Sequence, residues 1–289
     1  MEVRGMKLGY AFFNPKHEIL QHHAQQLGVR CAVTSAGWAG GFSRYIHEWD
    51  YMPLLKTKLS MESFGLEFSV VEGVGFLDEV KLGSEGRDEA IEHFILLLKN
   101  MSELGIKTVC YNWMPVWGWF RTDTNIKLDG GATVTGFDND LIPVCPITEL
   151  GRVSQDRLWS NLEYFLKKVV PWAEKYRVQL ALHPDDPPVD NIGGIERILT
   201  SVNAMQRAID LAPSEYNGIT LCQGSFAAMG EDVIDSIRHF GTQNKIFFAH
   251  FRDLTGGPGH FREEFHHTGK TDMYTAMKTY YDIGFDGVI

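Results

Sequence analysis

Cysteine is scarce: four residues, at positions 31, 110, 145 and 222 of 289, with no CxxC spacing between them. That density excludes a small disulfide-stapled secreted scaffold and leaves reduced thiols as the expectation. No apolar run approaches the roughly 20 residues needed to span a bilayer, and the start of the chain has no secretory pattern, so a soluble, cytoplasmic protein without a membrane partner is expected. Basic residues are also short, with 27 Lys and Arg against 37 Asp and Glu for a formal charge of −10. Phosphate-backbone binding needs clustered Lys and Arg, and no such cluster occurs, so nucleic acid is excluded as a partner. An acidic chain that binds a small anion must do so locally, through a metal or a few Arg and His residues. With 44% hydrophobic residues, the length suffices for one large core, and a single α/β barrel fits it as well as two smaller domains would.

Against these absences stand three short apolar runs, each ending in a potential metal ligand. Gln179-Leu180-Ala181-Leu182 runs into His183, Gly218-Ile219-Thr220-Leu221 into Cys222, and Lys245-Ile246-Phe247-Phe248-Ala249 into His250. Parallel strands that alternate with helices all point the same way, so their last residues share one rim whatever their separation in sequence. Taken singly, each residue has a plain structural reading: a hydrogen-bonded buried histidine, or a cysteine acting as a small hydrophobe. Their shared register is what argues for a site. Two imidazoles and a thiolate suit a borderline-soft divalent cation such as zinc, manganese(II) or iron(II).

The rest of the chain keeps the same rhythm. Residues 7–13, 29–33, 67–71 and 107–111 read as strands, the first stopped by Asn14-Pro15. Helices are expected over 18–27, 53–63, 87–104, from Ser154 onward, and over 195–211, 234–240 and 272–283. Residues 285–289 open an eighth strand. Glu72 holds the rim register after the third strand and either contacts substrate or caps a loop. After the fourth strand, Trp113, Trp117, Trp119 and Phe120 crowd around Arg121, which either reaches a substrate carboxylate through its planar fork or pairs with Asp123. Residues 112–153 form a long insertion, a lid or a dimer contact. Asp185 and Asp186 orient His183, touch sugar hydroxyls or cap a turn. Residues 251–269 read as a polar, glycine-broken loop in which Arg252 and His266 are the leading candidates for an anionic substrate.

Five motifs in this order resemble the mannonate dehydratase family across essentially the whole chain. They are Cys110-Tyr111-Asn112-Trp113-Met114-Pro115-Val116, Leu182-His183-Pro184-Asp185-Asp186-Pro187-Pro188, Leu221-Cys222-Gln223-Gly224-Ser225, His250-Phe251-Arg252, and Asp272-Met273-Tyr274 with Ile283-Gly284-Phe285-Asp286-Gly287. The resemblance implies a (β/α)8 TIM barrel of the xylose-isomerase-like type, forming a single domain over residues 1–289. It implies dehydration of D-mannonate to 2-keto-3-deoxy-D-gluconate in hexuronate catabolism, by a homodimer. It also implies a divalent metal, typically manganese with iron(II) as the alternative, held by two His, one Cys and one Asp, of which His183, Cys222 and His250 are three. Asn112, Trp113, Arg121, Asp185, Arg252 and His266 are the substrate-binding candidates. The family's Arg-Pro-Asp-His-type motif, which brings the fourth ligand and the acid–base histidine, has no counterpart up to Ile289, nor has its later tyrosine. No catalytic acid or base is therefore assigned within the chain. The expectation is that the sequence lacks a C-terminal piece, and that these 289 residues bind metal more weakly than a full-length relative and are impaired in dehydration. The competing readings are a metal-dependent sugar isomerase or epimerase on the same barrel, which usually lacks a cysteine ligand, an endonuclease, opposed by the net charge, and a non-catalytic barrel that only binds sugar acids.

Overall fold

A computed structural model describes residues 5–13, 18–143 and 145–289. The strands in chain order are β1 (Gly9–Ala11), β2 (Cys31–Thr34), β3 (Glu67–Glu72), β4 (Thr108–Asn112), β5 (Asp123–Lys127), β6 (Thr133–Asp138), β7 (Gln179–His183), β8 (Asn191–Ile192), β9 (Ile195–Glu196), β10 (Asn217–Cys222), β11 (Ile246–His250), β12 (Asp253–Gly257) and β13 (His260–Glu264). The helices are α1 (Glu18–Gln26), α2 (Tyr51–Ser63), α3 (Asp78–Leu82), α4 (Arg87–Glu103), α5 (Gln155–Tyr176), α6 (Val202–Asp210), α7 (Gln223–Met229), α8 (Val233–Gly241) and α9 (Met273–Asp282).

Seven parallel strands run side by side in the order β1-β2-β3-β4-β7-β10-β11. The sheet curls into a ring, and residues 287–289 fill the gap between its two ends. Ala249 N donates to Val288 O at 3.0 Å on one side, while Ile289 N donates to Lys7 O at 2.9 Å on the other. The expected eighth strand is therefore present as a short stub. The stop expected at Asn14-Pro15 lies outside the described residues.

Side-chain alternation divides the strands into two layers. Val109, Tyr111, Leu180, Leu182, Ile219 and Leu221 face outward into the main core beneath the helices. Cys31, Val33, Val70, Cys110, Ala181, Phe248 and Val288 form a separate cluster that fills the ring. The outer layer is held by helices such as α5, whose Ser154 cap accepts a hydrogen bond from Arg157 N and whose Leu158, Leu162, Phe165, Leu166 and Val169 are all buried. Phe165 packs edge-on to Phe94 of α4, with ring centroids 5.2 Å apart; burying one such ring contributes about 1.5–3 kcal/mol.

Two expectations fail here. The stretch 195–211 is not one helix: Ile195-Glu196 pairs with Asn191-Ile192 across the Gly193-Gly194 turn, and the helix begins only at Val202 behind its Ser201 cap. The carboxylate of Asp185 takes the N–H groups of Ile198 and Leu199 at 2.9 and 2.8 Å, which holds the intervening chain out of helical geometry. Nor is 251–269 a loop throughout. It forms the hairpin β12–β13, which pairs with a hairpin from the insertion to give a four-stranded antiparallel sheet, β12-β13-β6-β5. The insertion is thereby stitched to the chain that leaves β11, on the strand-end side of the barrel.

Candidate metal centre

Glu72, Asn112, His183, Cys222 and His250 are each the last residue of their strand. Because Val70, Cys110, Ala181 and Phe248 face the ring interior, the residues two positions further on face inward as well. All five line one cavity of about 500 Å³, walled on its apolar side by Met114 and Trp119. Asn112 stands in register with His183, and Cys222 with His250, so the donors come from neighbouring strands.

Hydrogen bonding sets which ring nitrogens face the centre. His183 Nδ1 lies 2.6 Å from the carbonyl oxygen of Pro184, so Nδ1 carries the proton and Nε2 keeps its lone pair. His250 Nε2 lies 3.3 Å from Oε1 and 3.4 Å from Oε2 of Glu72, so its inward atom is Nδ1. The two inward nitrogens stand 3.2 Å apart, and with Cys222 Sγ the three ligand atoms all lie within 4.8 Å of one another. Donors around a tetrahedral centre with bonds of about 2.0–2.3 Å sit at comparable separations.

The charge pattern agrees with that donor set. Burial opposes ionisation of Cys222, yet Arg252, with Nη1 3.3 Å from Sγ, and the adjacent His183 and His250 overcome it and hold the thiol well below its ordinary range. Cys222 is thus a thiolate, the form that ligates metals. Burial likewise disfavours a charge on His250, but Glu72 first and then Cys222 raise it to about 10. The position between the imidazoles is therefore one that stabilises positive charge. Two inward imidazole nitrogens and a cysteine sulfur fit a divalent cation.

Around the centre lies a chain of charges. Arg121 grips Asp186 through Nη1 at 2.7 Å and Nη2 at 3.0 Å, and reaches Glu263 at 2.9 Å. Arg252 bonds Asp186 at 2.8 Å and clasps Glu263 through Nε at 2.7 Å and Nη2 at 2.6 Å. Burial alone would raise the carboxyl of Asp186, but Arg252 and Arg121 bring it down to about 2. Glu263 lies on β13, so this network fastens the antiparallel sheet to the rim.

Of the substrate candidates, Asn112 and Arg252 line the cavity. Trp113, Arg121, Asp185 and His266 do not. Trp113 follows an inward residue and therefore points outward: it is fully buried against Phe165 and donates its Nε1–H to Leu158 O at 3.1 Å. The fork of Arg121 is taken by Asp186 and Glu263, so it neither opens onto the cavity nor pairs with Asp123. Asp185 is buried and spends one oxygen on the Ile198 and Leu199 N–H groups. His266 is exposed, with Nε2 2.6 Å from Phe251 O, and lines a different groove beside β1. Glu72, whose role was open, orients His250. Glu263 was missed because its strand read as loop.

A closed ring of parallel strands with a cation-competent His-Cys-His cluster at the C-terminal rim defines a TIM-barrel enzyme of the xylose-isomerase-like type. The profile of the family described as "D-mannonate dehydratase (UxuA)" matches residues 6–153 and 145–289. The chain belongs to that family, a family of hydro-lyases. It is 35% identical over 322 residues to the mannonate dehydratase of Thermotoga neapolitana, in an alignment covering 98% of this chain and 88% of the other. The crystal structure of mannonate dehydratase from Streptococcus suis serotype 2 superposes with a TM-score of 0.89 at 33% identity, covering 99% of this chain and 83% of that one. A xylose isomerase domain protein from Planctomyces limnophilus, at 14% identity and a TM-score of 0.60 over 98% of this chain and 89% of that one, shares the fold alone.

Proposed function

We propose that the chain dehydrates D-mannonate to 2-keto-3-deoxy-D-gluconate in the cytoplasm, as a homodimer, with manganese(II) or iron(II) held by His183, Cys222 and His250. The observation that carries this reading is the convergence of two inward imidazole nitrogens and the Cys222 sulfur within 4.8 Å. A divalent cation there supplies positive charge against the negative charge that grows on the substrate carboxylate as the C2 proton leaves. Loss of that proton and of the C3 hydroxyl as water yields an enol, which tautomerises to the keto acid.

The chain's own residues prepare this step. Arg252 keeps Cys222 ionised, Glu72 holds the ring of His250, and the Pro184 carbonyl holds that of His183. Met114 and Trp119 give the cavity an apolar wall, and Asn112 supplies a polar contact for substrate oxygen. The cavity carboxylates are poor bases: Glu72 lies below its ordinary range, burial being outweighed by His250, and Asp186 is tied to two arginines. Neither is assigned the C2 proton.

The test is metal content by elemental analysis together with a keto-acid assay on D-mannonate, run after chelation and after readdition of manganese(II) or iron(II). Metal-dependent keto-acid formation is expected. Metal-replete protein that forms no keto acid but interconverts aldoses would replace dehydration with isomerisation, and protein that binds sugar acid without metal would leave a binding barrel.

A further inference from the structure

Asn112 ends β4 beside His183 and lines the cavity. Its Oδ1 accepts from Lys81 Nζ at 3.2 Å and from Met114 N at 3.1 Å. An ammonium and a backbone N–H donate and never accept, so only the amide oxygen can occupy that position. The Asn112 NH2 is then the polar face left to the cavity, and no described residue accepts from it.

Lys81 is an unexpected source for that bond, since it is only 4% exposed, and lysines are almost never buried without a partner. It belongs to α3, a single turn packed against α4 and α5. Asp78 Oδ1 lies 3.2 Å from Nζ, and Asp78 Oδ2 accepts from Val116 N at 3.0 Å, so the same carboxylate steadies both the ammonium and the loop after β4. The Lys81 carbonyl accepts from Asn161 of α5 at 2.8 Å, which anchors the turn from the other side. An apolar side chain of similar length would fill the space without desolvating a charge. What the ammonium adds is a second donor aimed at Asn112 Oδ1; without it the Met114 N–H alone holds the amide with its oxygen turned from the cavity.

We propose that Lys81 is a positioning residue for substrate recognition: it fixes the Asn112 amide so that two N–H donors face an acceptor oxygen of the bound sugar acid. The inference rests on the reading of the cavity as a sugar-acid site, and it deepens that reading by naming the donor and the group that aims it. The acceptor is a carboxylate or hydroxyl oxygen next to the atoms held at the metal centre.

The test is calorimetric binding of D-mannonate and D-gluconate to manganese-loaded protein, with kcat and KM for D-mannonate and a melting temperature for each variant. Lys81→Met is expected to weaken binding and raise KM about tenfold, as loss of a charge-assisted hydrogen bond does, with kcat changed less than about twofold. Lys81→Arg, which keeps a cationic donor, is expected to bind within about threefold of wild type. Asn112→Asp keeps an oxygen for Lys81 and Met114 but replaces the NH2 with a second acceptor, so it is expected to bind at least as poorly as Asn112→Ala. Lys81→Met protein that melts normally and binds within twofold of wild type overturns the inference, as does tighter binding by Asn112→Asp than by Asn112→Ala. If Lys81→Met does not fold, the Asn112 pair decides. Wild type that binds neither hexonate removes the sugar-acid reading and this inference with it; wild type that binds while Lys81→Met is unchanged removes this inference alone.

Discussion

Cys222 and Cys110 are both buried inside the ring, yet the protein holds them in opposite states. Cys222 ends β10 among cations, with the Arg252 guanidinium and two imidazoles against its sulfur, and is a thiolate. Cys110 lies two residues back from the end of β4, where burial first and then the charge of Glu72 push its thiol well above the ordinary range. Thr220 donates to it at 3.1 Å, and it stays neutral. Desolvation acts on both thiols in the same direction, so the difference lies in which charges are within reach. Two positions along a strand separate a candidate metal ligand from inert filling.

The comparison breaks most visibly at Cys222 itself. A serine there offers a hydroxyl that stays protonated at neutral pH, so Cys222→Ser is expected to lose metal affinity by more than about 100-fold, beyond the loss caused by removing a residue that merely supports a ligand. Elemental analysis after dialysis measures the loss, and the keto-acid assay should fall with it. The next largest effect is expected from removing the cation that ionises Cys222. With Arg252→Met the thiol titrates higher, so fewer molecules carry the thiolate at pH 7, and metal affinity drops about 10–100-fold. The sign is checkable: affinity should rise with pH across the neutral range in wild type, where His250 must give up its proton, and more steeply in the variant, where Cys222 must give up one as well. An equal slope in both would mean that the imidazoles alone hold Cys222 ionised.

Asp186, the counter-ion of Arg252, gives a smaller and purely structural effect. Its carboxyl is depressed to about 2 from an ordinary 3.8. A depressed carboxyl contributes stability that is present above about pH 4 and lost as pH falls toward 2, worth about 2 kcal/mol here. Asp186→Asn should therefore flatten the dependence of folding stability on pH over that window in chemical denaturation. An unchanged slope would place the acid sensitivity elsewhere.

The barrel and the convergence of His183, Cys222 and His250 were legible because their signal is local: apolar runs buried on both faces, each ending in His or Cys. The neighbours of the rim were misread where adjacency was taken for shared direction. Trp113 follows inward Asn112 and so faces the helices, a consequence of two-residue alternation that holds at every strand end. The hairpin of β12 and β13 escaped because His260-Phe261-Arg262-Glu263-Glu264 carries one inward apolar residue among charges. Its evidence is the pairing with β6, which no short window contains. Lys81 gave no signal at all, since its partner Asn112 lies 31 residues away and the contact exists only once α3 packs against α4 and α5.

The smallest effect is expected at Cys110, and it tests the comparison from the other side. Glu72, Cys110 and His250 also bring three potential ligand atoms within 4.8 Å, so distance alone does not distinguish this group from the His183-Cys222-His250 set. Chemistry does, because a thiol held neutral beside a carboxylate is a poor ligand, and Glu72 is already committed to His250. Cys110→Ala leaves the Thr220 hydroxyl its second acceptor, the carbonyl of Ala181 at 3.1 Å, and removes only one atom from the ring interior. It should cost about 1 kcal/mol of stability, with metal content and kcat within about twofold of wild type. If Cys110→Ala loses metal as Cys222→Ser does, Cys110 is a ligand too, and the cation sits lower in the barrel, shared by both cysteines.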